Sequence, residues 1–275
     1  MKPILNPISQ KIITATIADM PQSVLVTGES GAGLSTAAKY ISELLGIKPN
    51  IILPEKDEKI DLEKGIISID IIRKILEDTK TKLKGRRLII IDYAERMTQQ
   101  AQNAFLKLLE EPGDDIHFIL VSSSTSKLLP TILSRVKKIE IKPITNQQSE
   151  ELIIKLGVTD KTKQAQLLFM ASGLPAEITR LIQDENYFAN ASNMIRDARE
   201  ALQAKLYQKL LIAQKYKEDR QLALKMVFYM AKILKHSIET NPQTDTIKRV
   251  DTVLKAYERI EANGNIRLCL AQMMI

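Results

Sequence analysis

Residues 23–45 read SVLVTGESGAGLSTAAKYISELL. A short β-branched run meets a glycine-rich turn, and an apolar pattern of helical period follows directly. Strand, glycine loop and helix in that order are the context a phosphate-binding loop requires, so this stretch restricts the fold more than any other. Gly28 and Gly33 take the glycine positions of G-x-x-x-x-G-K-[ST], Gly31 adds a third flexible point, and Ser35 or Thr36 offers the hydroxyl. Leu34 stands where the lysine belongs. In a working loop, backbone N–H groups close round phosphate oxygens, the lysine adds a point charge and the hydroxyl binds Mg²⁺. Losing one charge-assisted contact removes roughly 1.5–3 kcal/mol, so the loop is either a variant site or a relic.

Downstream the strand–helix alternation continues. Ile51 to Leu53 is a short apolar run, and 68–83 places Ile69, Ile72, Ile75, Leu76 and Leu83 on one helical face. RRLIIIDYAE (86–95) is a nearly unbroken apolar strand of the kind buried in a parallel sheet, and it ends in Asp92. Gln99 to Glu110 reads as a helix stopped by Pro112-Gly113, HFILVSS (117–123) as a strand and KIEIKPI (138–144) as the last short one. After Pro143 only helices follow: 145–156, 162–172, one from Gly173-Leu174-Pro175 to about Asp184, then longer amphipathic segments near 193–216, 219–238 and 244–262. Asn241-Pro242 and Asn263-Gly264 punctuate them, and the tail reads as a terminal helix. The expected fold class is α/β, a P-loop domain with a parallel sheet over 1–145, followed by a small helical lid over 146–190 and an all-α domain over 191–275.

Asp92, at the end of its buried strand, stands where P-loop ATPases hold Mg²⁺. The hydrolytic members follow it with a water-polarising glutamate, but Tyr93 comes next here, and Glu95 reads as lying on a different heading of the chain. The single cysteine, Cys269, excludes an internal disulfide or a multi-cysteine zinc site, and His117 and His236 lack ligand spacing, so no metal ligands are expected. No apolar run reaches the roughly 18 residues of a membrane span and the N-terminus does not read as a secretory signal, so a cytoplasmic chain is expected. Of a net charge of +7, residues 191–275 hold 15 Lys+Arg against 9 Asp+Glu. That excess fits a nucleic-acid footprint or merely solvated helix faces, and aromatic content of only 4% gives no stacking platform.

Three segments carry a family resemblance. QNAFLKLLEEP (102–112) resembles an A-N-A-L-L-K-x-L-E-E-P helix, LLPTILSR (128–135) an L-L-P-T-I-x-S-R-C segment, and SIDIIRKI (68–75) an I-x-x-I-R helix. Together, and in this order, they resemble the bacterial clamp-loader AAA+ family, most closely its delta-prime members in DNA polymerase III. The resemblance is strong over about 65–145, weaker over 20–45 and mainly architectural after 145. It implies a hetero-oligomer with gamma/tau and delta subunits that loads the sliding clamp on primed DNA, with a helical collar for assembly.

It also implies that Arg135, the arginine of S-R-C, reaches into a neighbouring subunit as a trans finger, with ATP and Mg²⁺ held at that interface. Such arginines contribute about 10³–10⁵ in rate in well-studied NTPases. Val136 replaces the family's cysteine, and the zinc module of many relatives is absent. The lid motif G-S-x-R-D aligns with GLPAE (173–177), which puts Ala176 at the sensor arginine, with Arg180 one turn on. Lysine, glutamate and sensor arginine are thus all missing, which points to a subunit without hydrolysis and with no cofactor in its own site. Two alternatives stay open: an active gamma/tau-like ATPase that uses Lys39 or a neighbouring subunit's lysine in place of Leu34, and a DNA-binding AAA+ relative outside the replisome.

Overall fold

The computed structural model describes residues 3–62, 64–80, 85–111, 113, 115–240 and 244–274. They form two compact units, Met1–Gln183 and Asp184–Ile275. Residues 190 and 191, where the sequence suggests that lid gives way to collar, both lie inside one helix of the second unit.

In the first unit, α1 (Pro7–Ala18) precedes β1 (Ser23–Gly28) and α2 (Leu34–Leu45). Then come β2 (Pro49–Ile52), a small hairpin of β3 (Glu55–Lys56) and β4 (Lys59–Ile60), α3 (Ile69–Lys80) and β5 (Arg87–Ile91). A 3₁₀ turn at Ala94–Arg96 leads to α4 (Gln99–Glu110), β6 (Ile116–Ser122), the short α5 (Pro130–Leu133) and β7 (Lys137–Ile141). Three helices follow, α6 (Asn146–Lys155), α7 (Lys161–Ala171) and α8 (Pro175–Gln183). The sheet order is β2-β5-β6-β1-β7, and every neighbouring pair is parallel. The α/β expectation is met, and the reason is visible in the burial. Alternate residues of one strand feed opposite layers, as period 2 demands. Leu88 and Ile90 of β5 join Val24, Val26, Ile119 and Val121 on the α1/α2 side, while Ile89 and Ile91 join Leu25, Phe118 and Leu120 on the α3/α4 side. Phe105 of α4 meets Phe118 edge-on, with ring centroids 5.4 Å apart.

Several elements of this unit escape the sequence reading, the short α5 and two others among them. Residues 7–18 are helical, started by Asn6, whose side chain accepts from the Ile8 N–H, with Pro7 in the first turn. This helix is tied to β7: Ser9 Oγ donates to the Glu140 carbonyl and accepts from the Lys142 N–H. The β3–β4 hairpin is the other, turned by Asp57 and Glu58 in left-handed conformations. The expected helix end over 81–83, and the Pro112 and Asn241-Pro242 punctuation, lie outside the described residues.

The second unit is helical throughout its elements: α9 (Glu185–Gln203), α10 (Leu206–Tyr216), α11 (Arg220–Thr240), α12 (Thr244–Glu261) and α13 (Ile266–Met274). Asp184 caps α9 through the Tyr187 N–H. The segment expected as one helix over 193–216 is two, because Ala204 and Lys205 adopt extended backbone and turn the chain. Across that turn Asp197 is buried and accepts from Lys215 Nζ and Tyr216 OH. Met226, Val227, Tyr229, Ile260 and Leu270 are fully buried in this bundle. No helix among the described residues is long and apolar enough to cross a membrane.

Candidate nucleotide-type site and the arginine face

The glycine loop leaves the C-terminal end of β1, and Asp92 follows β5. Because β6 lies between these strands, its last residues form the floor between loop and aspartate. The result is a cavity of about 200 Å³ lined by Gly31, Gly33, Leu34, Ser35, Thr36, Asp92, Glu95, Ser123 and Ala176 among others. Crevices outside the carboxyl ends of parallel strands are where open α/β sheets bind ligands. The sequence-picked residues Gly31, Gly33, Ser35, Thr36 and Asp92 therefore converge. Gly28 sits at the root of the loop and is required there for packing. A Cβ on it would lie 2.3 Å from the Ile141 carbonyl oxygen of β7.

Leu34 is 8% exposed, and its side chain packs into the α1/α2-side core with Val24, Val26, Ile139 and Ile141. The side chain at the lysine position thus belongs to the core. Gly33, at φ +85, starts α2 without a side-chain cap. Opposite the loop, the N-terminal end of α8 closes down: the Ala176 N–H donates to the Gly31 carbonyl at 3.0 Å, and Leu174 packs against the same core.

Ser35 Oγ donates to Asp92 Oδ1 at 2.9 Å, and the Tyr93 N–H donates to the same oxygen at 3.0 Å. Asp92 is 6% exposed, and burial raises its pKa above the usual carboxylate value. The Ser35 and Tyr93 hydrogen bonds and the Lys39 charge oppose that shift, while Glu95 adds to it. Tyr93 has φ +56, a left-handed conformation costly for a bulky residue. That twist corrects the expectation for Glu95. The chain doubles back so that Glu95 lines the same cavity as Asp92 and accepts from Ser123 Oγ at 3.0 Å. Its Oε2 is buried with no hydrogen-bond partner. Nothing in the residue types signals a left-handed Tyr93, so the return of Glu95 was not legible. Ala176 reaches the cavity as the lid alignment suggests, whereas Arg180 is exposed and lies outside its lining. Among the described residues, no His, Cys, Asp and Glu cluster suited to a metal ion occurs.

Arg135 lies elsewhere, outside that cavity, directly after α5. Its side chain is 39% exposed. Nη1 donates to the Thr131 carbonyl at 3.1 Å and Nη2 to Glu110 Oε1 at 2.9 Å. The segment before it is anchored by α4: Gln102 accepts from the Leu129 N–H and donates to the Lys127 carbonyl, while Leu128 and Ile132 are buried beneath.

A five-stranded parallel sheet with a glycine loop leaving β1, an aspartate ending β5 and a following helical lid defines an AAA+ domain, here with a helical C-terminal unit. Two solved structures share the fold. A DNA polymerase III gamma-subunit-related protein of Thermotoga maritima superposes with a TM-score of 0.51 over 97% of each chain at 21% identity. The RuvB Holliday junction branch migration motor of the same organism does so with 0.51 at 17% identity, over 86% of this chain and 77% of that one. The family model described as "DNA polymerase III, delta subunit" matches residues 8–145, and the chain belongs to that family. DNA polymerase III subunit delta′ of Bacillus subtilis is 23% identical over 227 residues, covering 72% of this chain and 68% of that protein. Its counterpart in Pseudomonas aeruginosa is 31% identical, covering 48% of this chain and 39% of the relative. Replication factor C subunit 3 of Saccharomyces cerevisiae is 31% identical, covering 51% of this chain and 41% of the relative. The last two matches thus span well under half of the relatives' own lengths.

Proposed function

We propose that this chain is a non-catalytic, delta-prime-like subunit of the clamp loader in the DNA polymerase III machinery, acting in the cytoplasm. It assembles with gamma/tau and delta subunits, helps place the sliding clamp on primed DNA, and serves a neighbour's ATPase site in trans through Arg135. The family match and the named relatives support the clamp-loader part. The burial of Leu34 carries the non-catalytic part.

Three features argue that the glycine-loop cavity does not fit MgATP. The lysine position is filled by a core leucine, so no cation meets the β/γ oxygens there. Ser35 and Asp92, the pair expected to share Mg²⁺, are bonded to each other. At about 200 Å³ the cavity is also smaller than the roughly 300–1,000 Å³ of ligand pockets. ATP and Mg²⁺ belong, in this reading, to the interface with a neighbouring motor subunit, where a planar guanidinium matches developing phosphate charge. The lid over 146–190 and the collar over 191–275 would supply contacts to partners.

The test is nucleotide binding by the isolated chain. No tight ATP binding and no turnover are expected, whereas steady hydrolysis by the unmodified protein sinks the reading. A second reading, an active site served by Lys39, draws on the Lys39 charge, which opposes the raised pKa of Asp92. If that reading holds, Lys39→Ala abolishes turnover by the chain alone.

A further inference from the structure

Arg135 is not idle on its surface. Glu110, the last residue of α4, holds Nη2 at 2.9 Å, while Thr131 holds Nη1 one helical turn back. The two holds differ in kind. The Thr131 carbonyl is neutral, and it also accepts from Ser134 Oγ, so it fixes the base of the side chain without cancelling charge. Glu110 is a carboxylate, so an Arg135 that keeps it offers a neighbour a pair with no net charge. Both side chains are substantially exposed, 39% for Arg135 and 54% for Glu110. Exposed pairs of this kind are weak and exchangeable.

We infer that Glu110 is the resting counter-ion of Arg135, a positioning residue that must be displaced before the arginine serves the adjacent site. This rests on the trans-arginine reading above. A terminal phosphate carries more charge than one carboxylate, so it outcompetes Glu110 for Nη2. A nucleotide without that phosphate does not reach the fork, and Arg135 returns to Glu110. Thr131 keeps the side chain directed throughout, so the exchange needs only the Nη2 partner to change. Glu110 thereby sets the threshold at which the finger engages and makes engagement depend on ATP rather than ADP. Because the pair opens on forming the ATP-bound state, its cost falls on apparent affinity and leaves the chemical step alone.

The experiment uses the reconstituted complex carrying wild-type chain, Glu110→Gln, Arg135→Ala or both. Hydrolysis is followed against ATP concentration, together with equilibrium binding of a fluorescent, slowly hydrolysed ATP analogue and of ADP. Glu110→Gln is expected to lower the KM for ATP and the Kd for the analogue by at most about fivefold, the factor that ~1 kcal/mol converts to. kcat and ADP affinity stay unchanged, the gain shrinks at high salt, and it vanishes when Arg135 is already alanine. The inference is overturned if the gain persists without Arg135, if ADP binding tightens equally, if kcat falls at constant KM, or if nothing changes. Hydrolysis unaffected by Arg135→Ala alone would instead remove the trans-arginine reading, an outcome separable from all of these.

Discussion

The glycine loop and the Arg135 segment lie in one domain, and the structure treats them in opposite ways. The loop is drawn inward: Leu34 sits in the core, Ser35 and Asp92 satisfy each other, and the start of α8 is bonded across the turn. The Arg135 segment is braced from beneath by Gln102, Leu128 and Ile132, yet its guanidinium stays accessible. At the loop Ser35 and Asp92 are bonded to each other and Glu95 Oε2 is the polar atom left over, whereas at Arg135 a charge held by a neutral carbonyl and one exposed carboxylate remains available. A glycine turn can keep its backbone while the side chains around it are committed to packing and to one another.

The sharpest way to break the contrast is at Arg135. Under the proposed trans role, Arg135→Ala lowers hydrolysis by the reconstituted complex by about 10³-fold or more while assembly, followed by size-exclusion chromatography, is intact. Unchanged hydrolysis would make the arginine purely structural. Next comes Leu34→Lys, which replaces a core side chain with a charge. It should cost on the order of 2–5 kcal/mol in denaturant unfolding without creating tight ATP binding. A stable variant that binds ATP would mean that only the lysine was missing. Gly28→Ala should cost about 1–3 kcal/mol, because the new methyl meets the Ile141 carbonyl. Equal stability to wild type would show that β1 and β7 can part freely.

The smallest effect concerns Asp92. Burial raises its folded pKa above the ordinary carboxylate value of 3.8, so the folded state binds the proton more tightly than the unfolded one. Stability from this group is therefore present at low pH and lost as pH rises through the window above 3.8. Asp92→Asn should raise the melting temperature at neutral pH, with the gain closing as the pH falls below that window. A gain independent of pH would show that burial of charge is not what strains the site.

Much of the α/β unit was legible because strand and helix periods leave different marks: RLIII (87–91) is the buried strand and QNAFLKLLE (102–110) part of the helix that the pattern suggests. What was not legible followed from geometry without a residue signature. Helix α1 has no clean apolar face and is announced only by Asn6-Pro7. The Ala204–Lys205 break carries neither Gly nor Pro. Of the site, the convergence of loop and Asp92 was readable from order along the chain. The return of Glu95 was not, since it depends on Tyr93 taking a backbone conformation its side chain disfavours. The Glu110–Arg135 pair, 25 positions apart in sequence, was hidden in a motif read as helix alone.

The Ala176 N–H to Gly31 carbonyl bond has a mechanical consequence. It makes the turn after β1 and the helix α8 a single hinged piece, so the loop cannot widen while that amide stays bonded. Hydrogen exchange at Ala176 thus becomes a clock for opening of the loop in solution: slow exchange marks a latched loop, and its rate sets how often any anion could enter.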